Sequence, residues 1–183
     1  HASSAPRDCH VRLTVGDEFE GSGWFRFHDQ FVECETLNRR DGRISQRIDI
    51  DSPVQWMQCH PIVGDALLMK SYDLSQGAGK RFLDNVMLSS PDHRGATGPM
   101  LFRLGFGIQY VGQEHVSVLA GNFDAYHCQV VDTAGQLPEE HPPYNVWCTA
   151  DADYILLKAG AEGYMQTHYE LAELTIADSS KKG

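Results

Sequence analysis

The sequence predicts an all-β protein, an antiparallel up-and-down barrel before a sandwich. Three observations carry this. Apolar and polar residues alternate at period two over many short stretches. Turn residues recur at close, regular intervals. Almost no stretch has the spacing of a helix. Together they give about ten to twelve strands. A twisted antiparallel sheet of that many strands closes on itself to remove its edges. The chain has 183 residues, enough for a single domain with a sizeable core. Residues 1–8 and 177–183 read as tails around a domain over 9–176.

The first strands are expected at 10–15, 23–28, 30–37 and 43–50. Gly21-Ser22-Gly23, His28-Asp29 and Arg40-Asp41-Gly42 separate them, and such breaks supply the positive φ that hairpins require. Strands at 54–60, 65–74 and 80–89 follow, with a weak helical alternative near Ile62 to Met69. The segment 89–98, SSPDHRGATG, is a loop by its Pro, Asp and Gly content.

Pro99 to Val131 is the most regular stretch. Phe102, Leu104, Phe106, Ile108 and Tyr110 alternate with Arg103, Gly105, Gly107 and Gln109. A turn is expected at Val111 to Glu114, a strand over 115–119, a turn at Ala120 to Asn122, and a strand over 123–131. A second long loop spans 132–143, and strands return at 144–150, 153–159 and 163–176.

Composition limits the function. The net charge of −10 opposes nucleic acid and anionic membranes as partners, because both reward basic surfaces. No apolar run approaches the ~20 residues of a membrane-spanning helix. Five cysteines, widely spaced and without a Cys-x-x-Cys pair, do not form a disulfide framework and point to a reducing, cytoplasmic setting. HASSAPRD at the start lacks the apolar segment of a signal peptide.

The succession of hairpins, the pair Gly23-Trp24 and the ending Tyr169-Glu170-Leu171 resemble the lipocalin-like (calycin) barrels of bacterial cytosolic type. That resemblance implies a ligand cavity in the bore, without implying a chemistry.

Candidate site residues follow from residue type and position. His127 stands in mid-strand, and imidazole is a natural acid or base at neutral pH. Arg103, Tyr126, Tyr144 or Tyr164 could stabilise developing negative charge. Tyr164, Gln166, His168 and Glu170 form a polar row, from which Tyr164 or His168 could act on substrate. Trp24, Trp56, His60, Phe102, Tyr144 and Trp147 are candidates for the ligand lining.

Cys9-His10, Cys59-His60 and His127-Cys128 are neighbours, but adjacent strand residues point to opposite faces and cannot chelate one ion together. No metal is expected. The chain has no P-loop, no dinucleotide fingerprint and no nucleophile elbow, so no cofactor is expected either.

The expected function is therefore cofactor-independent proton transfer, of lyase, isomerase, cyclase or hydratase type, on a small apolar or aromatic molecule inside the barrel. A non-catalytic carrier or sensor of a hydrophobic molecule is the alternative. An interaction domain using the loops 89–98 and 132–143 is the third, and self-association is left open. Two orientations compete. Either Phe102, Leu104 and Phe106 face inward, or Arg103 does and looks toward His127.

Overall fold

The computed structural model describes residues 5–92, 94–132, 142–161, 163 and 166–176. It is all-β, 58% strand and 8% helix. The strands form two sheets, one of four and one of seven strands. The larger sheet curls into a half-barrel.

The four-stranded sheet is a meander of β1 (Asp8–Val15), β2 (Glu18–Phe27), β3 (Phe31–Asn38) and β4 (Gly42–Asp49). Its alternation matches the sequence. In β3, Val32, Cys34, Thr36 and Asn38 are buried, while Phe31, Glu33, Glu35 and Leu37 are more exposed. Gly16 (φ 60°) and Gly42 (φ 73°) supply the left-handed backbone at two of its turns.

The seven-stranded sheet comprises β5 (Trp56–Gln58), β6 (Gly79–Leu88), β7 (Phe102–Val118), β8 (Gly121–Asp132), β9 (Tyr144–Thr149), β10 (Leu156–Ala161) and β11 (Thr167–Glu170). Its spatial order runs β11-β10-β9-β8-β7-β6-β5, and only the β5–β6 pair is parallel among the described residues. The single closed antiparallel barrel is thus replaced by two sheets. No ladder joins β5 to β11 among the described residues, so the larger sheet stays open.

Four expected elements differ. Val111 to Glu114 is not a turn: β7 runs through it for 17 residues. The register shifts between Tyr110 and Gly112, and Gly112 takes φ 152°. One extra residue is absorbed as a bulge, so residues 102–118 continue as one strand. Residues 62–71 form a 3-10 helix, because Asp65, Ala66, Leu68 and Met69 are all buried. No strand could bury that set on one face. The strand expected over 54–60 is only Trp56–Gln58, and the strand expected over 163–176 is only Thr167–Glu170 among the described residues.

The 3-10 helix covers the inner face of the half-barrel. Its Ala66, Leu68 and Met69 pack with Leu104, Ile108, Cys128, Val146 and Ala159. Leu68 and Met69 are fully buried, which contributes about 1.5–3 kcal/mol each. On the other side of β6, Met87 joins Phe25, Val32 and Cys34 of the smaller sheet. Gln46 of β4 adds a polar tie, donating to the Leu101 carbonyl at 3.0 Å and accepting from its N–H at 2.8 Å.

Candidate functional site

The aromatic stripe of β7 faces inward. Leu104, Phe106, Ile108 and Tyr110 belong to the main core, while Arg103 is exposed and stands in register with Met87. On β9 the same period sends Tyr144, Val146 and Cys148 inward and Asn145 and Trp147 outward. Between this inner face and the 3-10 helix lies a cavity of about 280 Å³. Its walls are apolar: Trp56, Ile62, Leu68, Leu88, Phe106, Val130, Val146 and Ala161. Its polar groups are Gln58, His60, Asp65, Arg94, Tyr144, Thr167 and Tyr169.

Asp65 is the chemical centre of the cavity. It is 4% exposed. The Tyr144 hydroxyl donates to its Oδ2 at 2.8 Å, and the Gln58 amide donates to its Oδ1 at 2.8 Å. Burial penalises the charged carboxylate and pushes its pKa up from 3.8 to about 6. The two donors oppose that rise. Burial and the neighbouring Asp65 also drive the Tyr144 phenol upward, so it remains a donor at neutral pH. The pair therefore offers a carboxyl that titrates close to neutrality, with a phenol locked on as donor.

The mouth is held in an unusual backbone. His60 has φ 70°, a left-handed conformation that costs a non-glycine residue about 1–3 kcal/mol. Its N–H donates to the Gln58 side-chain oxygen. Gly95 packs against its ring, so closely that a Cβ there would stand 2.5 Å from the imidazole Cγ. Arg94, at the same mouth, pairs through Nε with Asp92 at 3.1 Å.

Of the residues expected at a site, the structure brings Trp56, His60 and Tyr144 together in this cavity. His127 lies on the opposite face of the sheet. It stacks on Trp147 at 4.2 Å, its Nδ1 is 3.2 Å from Glu114, and its Nε2 is 2.9 Å from the Asn145 side-chain oxygen. The inward residues of β8 are Tyr126, Cys128 and Val130, so the alternation that buries Cys128 turns His127 away. Trp147 leaves the expected lining for the same reason.

Arg103 and His168 are exposed; His168 is 3.7 Å from Glu170. Trp24 is 40% exposed on the outer face of the four-stranded sheet, opposite the buried Phe25. Phe102 packs on the main core outside the cavity. Tyr126 faces inward in a tyrosine row with Tyr110 at 6.0 Å and Tyr154 at 6.1 Å, away from the cavity wall. Tyr164 lies outside the described residues.

Sequence reasoning missed Asp65, Gln58, Arg94, Thr167 and Tyr169. Asp65 had a legible signal: one carboxylate inside the apolar run IVGDALLM. Thr167 and Tyr169 occupy the other face of the strand that carries His168.

Among the described residues, no group of three or more His, Cys, Asp or Glu side chains is placed to hold a metal ion. No helix among them is long and apolar enough to cross a membrane. Fold and site thus define an all-β protein with a cavity in the half-barrel and, among the described residues, one buried carboxyl. Compared with protein families, curated proteins and solved structures, the chain matches none.

Proposed function

We propose that the half-barrel cavity binds one small, largely apolar molecule whose single polar or basic group meets Asp65. The observation that carries this is the buried Asp65–Tyr144 pair in a cavity of about 280 Å³ whose other walls are mostly Trp56, Leu68, Leu88, Phe106, Val130 and Val146. Apolar walls supply affinity, and a few convergent polar groups fix orientation. The reading keeps the internal ligand that the calycin likeness implies, and the cytoplasmic setting that the cysteine pattern suggests. As a carrier or sensor the protein needs nothing more.

The test is binding of benzylamine, benzyl alcohol and toluene, followed by NMR titration and thermal shift. Saturable binding with amine preferred above pH 6, and loss of that preference in Asp65→Asn, is the expected result. Ala161→Trp, which fills the cavity, should abolish binding of all three. Binding that survives Ala161→Trp would place the ligand elsewhere and overturn the reading.

Proton transfer is the second reading, favoured by the Asp65 carboxyl at about 6. An acid or base is most effective when its pKa lies near the working pH. Asp65 would take the part first given to His127, and the Tyr144 hydroxyl, whose one proton is given to Asp65, would hold that carboxylate in position. The protein should then accelerate deuterium exchange at the α-carbon of phenylacetone, with a rate that rises through pH 6 and is lost in Asp65→Asn. A rate equal to buffer sinks this second reading and leaves the carrier.

A further inference from the structure

We propose that Cys9 and Cys59 form a reversible disulfide that ties the four-stranded sheet to the mouth of the half-barrel. Their sulfurs stand 3.0 Å apart, about 1 Å beyond a covalent S–S bond of ~2.05 Å. They come from different sheets: Cys9 is on β1, and Cys59 directly follows β5. Both are partly exposed, whereas Cys34, Cys128 and Cys148 are buried. A surface groove lined by Cys9, His10, Cys59, His60 and Thr97 gives a small oxidant access to the pair.

The two thiols are not equivalent. Either thiol can donate in the contact between them; that contact draws the Cys9 thiol below its ordinary range, while the same contact and burial push Cys59 upward. Cys9 is the nucleophile and Cys59 the resolving thiol. The oxidant is a low-molecular-weight disulfide such as oxidised glutathione. The Cys9 thiolate attacks one of its sulfurs, the glutathione S–S bond breaks, and one glutathione thiolate leaves. Cys59 then loses its proton to solvent and attacks the Cys9 sulfur of the mixed disulfide. The second glutathione leaves. In balance, two protein thiols and one oxidised glutathione give one protein disulfide and two reduced glutathiones. Cys59 precedes His60, so the bond would fix the backbone at the cavity mouth to β1.

The experiment equilibrates the native full chain in glutathione buffers of stepped ratio, traps free thiols with iodoacetamide and maps peptides. A reversible intramolecular Cys9–Cys59 link is expected, with Cys34, Cys128 and Cys148 alkylated only after unfolding. In urea the same link should require about tenfold or more oxidant, because the folded chain holds the sulfurs at high effective concentration. Cys59→Ser should trap glutathione on Cys9, and Cys9→Ser should trap little on Cys59. Cys9 and Cys59 both still alkylated at every ratio, or a link formed only between chains, would overturn the proposal. None of these outcomes depends on the cavity ligand.

Discussion

At the scale of single residues, Asp65 sets a stability that depends on pH. Its pKa is higher in the folded state than in the unfolded chain, so the folded state holds the proton more tightly between 3.8 and about 6. Stability from this group is complete below the lower value and is lost as pH rises through the upper one. The difference is worth on the order of 3 kcal/mol. Urea unfolding between about pH 4 and 7 should show the native protein losing stability relative to Asp65→Asn, which cannot titrate. Parallel curves would mean that Asp65 is not desolvated as the cavity requires. Asn at this position keeps the bond from Tyr144 but turns one amide donor toward Gln58, whose oxygen already accepts from His60. Asp65→Asn should therefore be less stable than native at the acid end.

At the scale of elements, the bulge in β7 shows how far pattern alone reaches. The alternation from Phe102 to Tyr110 was legible and gave the first half of β7. Val111-Gly112-Gln113-Glu114 carries a glycine and polar residues, and the same composition serves a turn or a bulge. Only pairing with β8 decides, because Gly112 stands opposite His127 with the ladder continuing on both sides. Gly112→Ala should cost about 1–3 kcal/mol by backbone strain alone, since its added Cβ meets nothing within 4 Å. Gly64→Ala is the control, with equally open space and no positive φ, and should be near neutral. Equal denaturation midpoints for both variants would show that the bulge tolerates a side chain. The 3-10 helix was less legible. Its apolar residues fit a strand or a helix of any kind, and burial on several sides follows from its place across the curled sheet.

At the scale of the molecule, the all-β class and most of the hairpin turns were written in the sequence, but the division into two sheets was not. Period-two alternation says that a strand has an inner face. It does not say against which sheet that face packs. For the same reason His127 was expected at the site and Asp65 was missed: alternation alone does not say that β8 turns His127 outward while the helix over 62–71 turns Asp65 inward. The sheets meet through Met87, which is fully buried against Phe25, Val32 and Cys34. Met87→Ala should cost about 2–5 kcal/mol. Hydrogen exchange should find that loss concentrated in β2 and β3, with β8 and β9 keeping most of their protection. An even loss over both sheets would show that they unfold only together.

The placement of the indoles makes the molecule report on itself optically. Trp24 is 40% exposed on the smaller sheet, Trp56 is 6% exposed in the cavity wall, and Trp147 lies flat on the His127 ring outside the half-barrel. Each chromophore sits in a different dielectric, so their emission bands differ in position and quenching. With two of the three replaced, light from Trp56 follows cavity occupancy, light from Trp24 follows the four-stranded sheet, and light from Trp147 follows the outer face of the half-barrel.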